Sequence, residues 1–309
     1  MKLAVAIVSY NTRDLLDRCL ESVVGAVNGL EAEIIVVDND SPDCSADMVA
    51  ARYPNVRLVR AGANLGYARA NNLAAAETTA EYVVFLNPDT EVRTDTFRIL
   101  LTRAEQVPHL GAAGGRARLS DGSIQNETCG RFFTFREWLL TRAGFRLIFP
   151  NRSIFAGRST AVSGPVDWVS GVCMLIKTET LRAHHGFCEE MFAYLEDMDL
   201  CLRLRRSGLV CRHVVESEFI HRLGASFRTM LPAQERSYLA SELLYVRYNW
   251  SLPERLVYRA FVTSRELVKL PVALLAGRRN VADRSRWLLK QLFVQSRDQS
   301  STRRQAPGR

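Results

Sequence analysis

Residues 3–12 read LAVAIVSYNT, six apolar residues closed by four polar ones. A continuous apolar run of this kind fits a strand buried on both faces, the kind found in parallel sheets covered by helices. The device recurs. Ile34–Val37 runs into Asp38-Asn39-Asp40-Ser41-Pro42, and Tyr82–Leu86 runs into Asn87-Pro88-Asp89-Thr90. Between these runs lie apolar residues at helical spacing. Asp14–Val27 carries Leu15, Leu16, Leu20, Val23, Val24 and Val27, and Ala46–Arg52 leads to a further strand at Val56–Val59. Asn64-Leu65-Gly66-Tyr67 opens a helix through Ala76, and another spans about 96–106. Strands alternating with helices predict an α/β chain with a doubly wound, mostly parallel central sheet. The polar clusters all follow strands, so they collect at the carboxyl edge of that sheet, where open α/β sheets bind ligands.

Further along, 115–165 is rich in Arg, Gly and aromatic residues with weak periodicity, and is read as an insertion or acceptor-side loop. Order returns at Val166–Lys177, a strand-like run with Gly171 inside it. It continues at Tyr194–Gly208, at Phe219–Ser226 and in a helix to about Trp250. The expected organisation is a catalytic domain over 1–250, in halves 1–110 and 111–250, and a basic helical extension over 251–309. No GxGxxG follows the first strand and no GxxxxGK[ST] occurs anywhere, which disfavours a dinucleotide site and a P-loop.

Composition excludes other classes. With 47% hydrophobic and 24% charged residues, the 309-residue chain is neither disordered, collagen-like nor a coiled coil. No apolar stretch approaches the ~20 residues of a spanning helix. Met1 opens directly into the first strand, so no signal peptide is expected. The seven cysteines are scattered with no CxxC pair, which reads as reduced core residues of a cytoplasmic protein and disfavours zinc. Residues 251–309 hold 13 Lys and Arg against 4 Asp and Glu, so all of the chain's net charge of +8 lies there. Such a segment points to a polyanionic surface, either lipid headgroups or nucleic acid.

Three groups of residues carry chemistry. Asp38, at a strand end, can accept the imide N–H of uracil or thymine, or form a turn with its neighbours. Asn87-Pro88-Asp89 can present one carboxylate to a hard divalent cation that neutralises a diphosphate, or be a plain turn. Within Glu196-Asp197-Met198-Asp199-Leu200, helical spacing places Asp197 on the face of Leu200, Cys201 and Leu204, facing inward at a helix N-terminus where a carboxylate stays ionised. That suits a general base. Asp199 falls on the opposite face, beside Arg203 in a solvated i,i+4 pair. His221 is a lone histidine whose case depends on reaching the edge that holds Asp89.

Taken together, Ser9-Tyr10-Asn11, Val37-Asp38-Asn39-Asp40-Ser41, Asn64-Leu65-Gly66-Tyr67-Ala68 with Asn71-Asn72, Asn87-Pro88-Asp89, Asp167-Trp168-Val169-Ser170-Gly171 and the Tyr194–Arg203 block resemble the family 2 glycosyltransferases, most closely the bacterial rhamnosyltransferase-like branch. The resemblance covers about 1–250. It implies a GT-A fold, an inverting single displacement and a nucleotide-diphosphate sugar donor, dTDP-L-rhamnose being the branch's common one and a UDP-sugar the other candidate. By position, Ser9, Tyr10, Asn11 and Asp38 resemble the nucleoside-binding residues, and Asn64 and Gly66 the loop near the ribose and diphosphate. Asn87-Pro88-Asp89 stands where the family has its DxD motif, with Asn87 in place of the first acid and Asp89 retained to hold Mg²⁺ or Mn²⁺. His221 matches the histidine that completes the metal site, Asp197 the base, and Trp168 and Glu196 the acceptor side. The implied acceptor is a glycan or polyprenyl-diphosphate-linked glycan used in cell-surface polysaccharide synthesis.

Two competing readings fare worse. A nucleotidyltransferase would want a Gly-rich basic loop after the first strand, where Ser9-Tyr10-Asn11-Thr12 stands. A nucleic-acid-binding protein would interleave aromatics with its basic tail, which this tail does not, so no nucleic-acid partner is expected. In Arg255–Lys269, by contrast, Arg255, Arg259, Arg265, Glu266 and Lys269 share roughly 120° of a helix, a basic stripe suited to anionic headgroups. Pro271 is expected to end that helix. The extension should then hold the enzyme peripherally at the inner face of the cytoplasmic membrane.

Overall fold

The structure, a computed structural model, describes residues 1–142, 162–222 and 232–297. They fall into two compact units, Met1–Leu231 and Pro232–Arg309. The first is built on a nine-stranded mixed sheet. Strands β1 (Leu3–Ser9), β2 (Ala32–Asp38), β3 (Arg57–Arg60) and β4 (Tyr82–Leu86) run parallel in the order β3-β2-β1-β4. Every residue of β1 is buried, as its unbroken apolar run requires. Leu3, Val5 and Ile7 face a core closed by α1 (Arg13–Ala26) and α4 (Thr96–Glu105) through Leu16, Leu20, Val23, Phe97 and Leu100. The alternate residues Ala4 and Ala6 are small and buried, and the Ala-rich α3 (Gly66–Ala76) packs on β1 through buried Ala68, Ala70 and Ala74. Helix α2 (Ser45–Arg52) links β2 to β3.

The second half of the sheet departs from simple alternation. After β5 (Thr90–Val92) comes β6 (Leu110–Arg118), a long strand reading LGAAGGRAR with no β-branched residue. Its glycines allow close approach, since a Cβ on Gly115 would stand 2.5 Å from the Ser217 carbonyl oxygen. Short strands β7 (Cys129–Gly130) and β9 (Trp168–Val169) pair with each other, and β8 (Gly164–Val166) pairs with β11 (Val210–His221). Strand β10 (Cys173–Lys177) runs antiparallel between β4 and β6, and β11 lies parallel to β6 and antiparallel to β5. Most of the ladder is parallel. Gly171 lies in the turn before β10 rather than inside a strand. Helices α5 (Phe135–Arg142), α6 (Thr178–Ala183) and α7 (Glu196–Arg206) complete the unit. The expected acceptor-side loop over 115–165 and the Phe219–Ser226 segment extend partly outside the described residues.

The second unit holds α8 (Pro232–Asn249), α9 (Leu252–Leu275) and α10 (Arg279–Arg297). The break therefore falls at 231/232 rather than 250/251. The reason is that α8 packs with the later helices: the Tyr258 hydroxyl donates to Glu242 at 2.6 Å, Arg284 pairs with Glu235 at 2.6 Å, and Trp250 meets the Tyr258 ring edge-on. Ser251 and Glu254 form a capping box that starts α9. Pro271 does not end this helix. Its missing N–H deprives only the Leu267 carbonyl, and Leu267 is exposed, so water can satisfy that group. The expected basic stripe is also turned differently: Arg255 donates to the Arg247 carbonyl, Arg259 to the Leu292 carbonyl and Arg265 to Glu266. Among the described residues no helix is long and apolar enough to cross a membrane.

Candidate active site

Strand register brings the polar clusters to one edge. Ser9 pairs with Asp38 at the ends of β1 and β2, and Ile7 pairs with Leu86 one residue before Asn87. The loops after β1 and β2 are stitched together: the Ser9 carbonyl accepts from the Asn39 amide at 2.9 Å, and the Asn11 amide donates to Ser41 Oγ at 3.0 Å. Ser9 is fully buried with its hydroxyl 2.9 Å from Thr12 Oγ1, whereas Tyr10 is exposed. Asp38 is 4% exposed. Its Oδ2 accepts from the Ser41 amide at 3.1 Å, which is the turn the sequence allowed, but its Oδ1 is buried with no hydrogen-bond partner. Leaving a buried carboxylate oxygen unpaired costs ~1–3 kcal/mol or more, a cost that a ligand N–H removes.

The loop at the start of α3 lies against the same cluster. Asn64 Oδ1 accepts from the Gly66 amide at 3.0 Å, and the Asn39 side-chain amide donates to the Gly66 carbonyl at 3.2 Å. Gly66 has φ +77°, and a Cβ there would stand 2.4 Å from the Phe192 carbonyl oxygen, so only glycine fits. The next amide, Tyr67 N–H, donates to that same Phe192 oxygen at 2.6 Å.

Asn87 and Asp89 follow β4. The Asn87 amide donates to the Val172 carbonyl at 3.0 Å, tying this strand end to the turn before β10. The pairing of β5 with β11 sets His221 opposite Thr90, and His221 Nε2 lies 3.1 Å from Asp89 Oδ2. His221 thus reaches the edge that its assignment required. Its Nδ1 lies 2.8 Å from Gln125 Oε1, so Gln125 fixes the ring from the side away from Asp89. Among the described residues no group of three or more His, Cys, Asp and Glu could hold a metal ion. Asp89 and His221 offer one oxygen and one nitrogen, an incomplete donor set that a divalent cation would need substrate oxygens to complete.

Asp197 joins the edge from α7. Two consecutive left-handed residues, Tyr194 (φ 74°) and Leu195 (φ 66°), set the entry of the helix. Asp197 Oδ2 accepts from the Gly171 amide at 2.9 Å and Oδ1 from the Met198 amide at 2.7 Å. The carboxyl does not have the low pKa expected of a helix N-terminus: burial raises it against those two amides. Glu196 is 5% exposed with Oε2 unpaired, and burial, then the Asp197 charge, pushes it well above the usual range. Of the pair, Asp197 therefore gives up its proton before Glu196. Glu196 is buried rather than open to solvent. Asp199 does not form a solvated pair. It is buried, Arg203 Nε donates to it at 2.9 Å, and Arg203 also binds the His184 and Gly186 carbonyls of the loop covering that face. Trp168 is buried, its indole N–H donating to the Arg131 carbonyl at 2.9 Å.

Two residues without an assigned role complete the cluster. The Tyr67 hydroxyl donates to the Gly171 carbonyl at 2.6 Å, and Gln125 anchors His221. Tyr67 lay inside a quoted motif. Gln125 is 96 residues from its partner and carried no local signal.

The family model for glycosyl transferase family 2 matches residues 4–168. An N-acetylglucosaminyl-diphospho-decaprenol L-rhamnosyltransferase of Mycobacterium tuberculosis is 30% identical over 244 residues, 71% of this chain and 75% of that protein. Rhamnosyltransferase WbbL of Escherichia coli K12 is 23% identical over 249 residues, 78% of this chain and 91% of that one. In fold, the chain is similar to S. aureus TarS 1-349 in complex with UDP, with a TM-score of 0.53, 15% identity, and coverage of 96% of this chain and 92% of that one.

Proposed function

The chain belongs to glycosyl transferase family 2, and from that premise we propose that it transfers L-rhamnose from dTDP-rhamnose to a hydroxyl of a polyprenyl-diphosphate-linked glycan in cell-surface polysaccharide synthesis. The observation that carries the donor class is the unpaired, buried Asp38 Oδ1, an acceptor matched to the imide N–H of thymine or uracil. The sugar and the lipid-linked acceptor are supported by the Mycobacterium tuberculosis relative, whose name states both.

In this reading Ser9, Tyr10, Asn11 and Asp38 bind the nucleoside, and Asn64, Gly66 and Asn87 lie along the ribose and diphosphate. Asp89 and His221 would hold Mg²⁺ or Mn²⁺, which when bound stabilises the charge of the departing diphosphate. Asp197 takes the proton of the acceptor hydroxyl as that oxygen bonds to the anomeric carbon and the bond to the diphosphate breaks on the opposite face. The Gly171 and Met198 amides orient the Asp197 carboxylate, and the raised pKa makes it a stronger base at neutral pH. Glu196, on the acceptor side, keeps its proton and leaves Asp197 as the charged member of the pair, and Trp168 forms a fixed wall on the same side. The basic helical unit attaches the enzyme peripherally to the inner face of the cytoplasmic membrane, on one surface with its acceptor.

The test is a donor screen. Purified protein is given dTDP-, UDP- and GDP-sugars with polyprenyl-diphosphate N-acetylglucosamine, and nucleoside diphosphate release is followed. Release from dTDP-rhamnose with glycosylated lipid product is expected. Turnover with a different sugar nucleotide alone would overturn the donor assignment.

A further inference from the structure

Helix α9 buries Tyr258, Val262 and Ala273 but carries most of its aliphatic residues outward. At 100° per residue, Leu256, Val257, Leu267, Val268, Val272 and Leu275 of α9 share an arc of roughly 160°. All six are exposed, Val268 at 67%, Val272 at 60% and Leu275 at 90%. The polar side of the same helix is turned inward. Glu266 is fully buried, accepting from Arg265 and from the Ser285 hydroxyl at 2.6 Å, while Arg255 and Arg259 spend donors on backbone carbonyls of α8 and α10. A surface helix in water has the opposite arrangement, apolar stripe in and charges out. An outward aliphatic face of this length marks a surface made to be covered.

We propose that this face of α9 inserts into the acyl region of an anionic lipid leaflet, with the helix lying along the surface. The inference rests on the membrane attachment read above and changes how it works, since aliphatic insertion and not a basic stripe supplies the contact. The charges bordering the face select a leaflet over a second copy of the chain. Lys269 flanks Val272 on the helix, and exposed Arg278 and Arg279 follow Leu275 after Ala276 and Gly277. The acid within the arc is Glu254, at its far N-terminal end and held in the capping box. A second copy would bring further cations and almost no acids to this face. A leaflet supplies acyl chains for the aliphatics and phosphates for the cations. Because α9 is not apolar enough to span, it can enter only in the plane of the interface.

The experiment sediments the full-length chain with vesicles of phosphatidylglycerol and phosphatidylcholine, at low and high salt, beside a Val268→Glu/Leu275→Glu variant. Both positions are exposed, so circular dichroism and thermal melting of the variant should match wild type. Wild type should bind and keep a substantial part of that binding at high salt. The variant should bind at least about tenfold more weakly at both salts. If the variant binds like wild type and salt strips both, insertion is wrong and charge-driven attachment stands. If wild type binds no vesicles even at low salt, the membrane reading falls together with the inference. A wild-type dimer in sedimentation velocity that the variant splits would assign the face to a second copy and overturn the proposal.

Discussion

Tyr67 and Gly171 are fitted to each other: the tyrosine hydroxyl donates to the glycine carbonyl at 2.6 Å, and a Cβ on Gly171 would stand 2.4 Å from the hydroxyl oxygen. The amide of the same glycine donates to Asp197 Oδ2 at 2.9 Å. Helix α3, through Tyr67, therefore holds the glycine whose amide holds Asp197. Burial drives the Tyr67 phenol well above its ordinary pKa, so the hydroxyl keeps the proton it donates.

Tyr67→Phe should loosen Gly171, and with it the amide on its other side, without emptying the site. An amide donor to the ionised carboxylate lowers its pKa, so weakening it lets burial push Asp197 further up. Activity requires the ionised base and falls as pH drops through its pKa. The acid limb of the kcat/KM profile should thus move to higher pH in the variant, with dTDP affinity unchanged. An acid limb identical to wild type would break the link between Tyr67 and Asp197.

Asp197→Asn keeps the shape of the side chain and removes its basicity. The loss should be about 10²–10⁴-fold in kcat, the usual contribution of a general base. Donor affinity, measured by calorimetry with dTDP, should stay within a factor of a few. Unchanged turnover would remove Asp197 from the chemistry.

Asp89→Ala should weaken donor diphosphate binding and leave a residual activity indifferent to EDTA. Gln125→Leu should act in the same direction but less, because it removes the partner of His221 Nδ1 rather than a ligand. Mn²⁺ binding in the presence of dTDP, followed by electron paramagnetic resonance, separates these effects from activity. Wild-type Mn²⁺ affinity in Asp89→Ala would place the metal elsewhere.

The pattern of what the sequence disclosed has physical causes. The strands β1, β2 and β4 were legible because burial on both faces demands unbroken apolar runs, and their polar ends located Ser9, Asp38 and Asp89 at one edge. Strand β6 was not, because its residues were chosen for closeness: Gly115 leaves room for the Ser217 backbone, and that small-residue pattern looks like a loop. The raised pKa of Asp197 was not legible because helix position is local and burial is not. Arg255, Arg259 and Arg265 looked like a solvent face because charge normally is one, whereas the acceptors that draw them inward, the Arg247 and Leu292 carbonyls and Glu266, cannot be read from periodicity.

Asp38→Ala should separate stability from function. The change removes a buried oxygen that has no partner, which offsets the lost bond to the Ser41 amide, so the ligand-free melting temperature should move little. Affinity for dTDP should fall by about 10- to 100-fold, as expected for a hydrogen bond to a charged group worth ~1.5–3 kcal/mol. A variant that melts far below wild type but binds dTDP normally would reduce Asp38 to a turn residue.

The acid side of the activity profile will also contain an unfolding event, and His213 identifies it. His213, on β11, is fully buried with neither ring nitrogen in a well-formed hydrogen bond, and burial, only partly offset by the Gly114 backbone, lowers its pKa to about 4. An unfolded histidine titrates near 6.5. Between those values the unfolded chain binds a proton that the folded chain refuses, so acid favours unfolding. The group's contribution is fully present above about pH 6.5 and is lost progressively as pH falls toward 4, up to about 3 kcal/mol at 1.36 kcal/mol per pKa unit. His213→Leu should therefore lose clearly less melting temperature between pH 7 and pH 5 than wild type, which should lose several degrees over that interval. Circular dichroism melts at both pH values measure this directly. Because His213 is buried on β11 and makes no hydrogen bond to Asp197, the acid limb of kcat/KM should survive in the variant, which separates titration of the base from loss of the fold. Equal acid destabilisation in wild type and variant would assign the pH dependence to other groups.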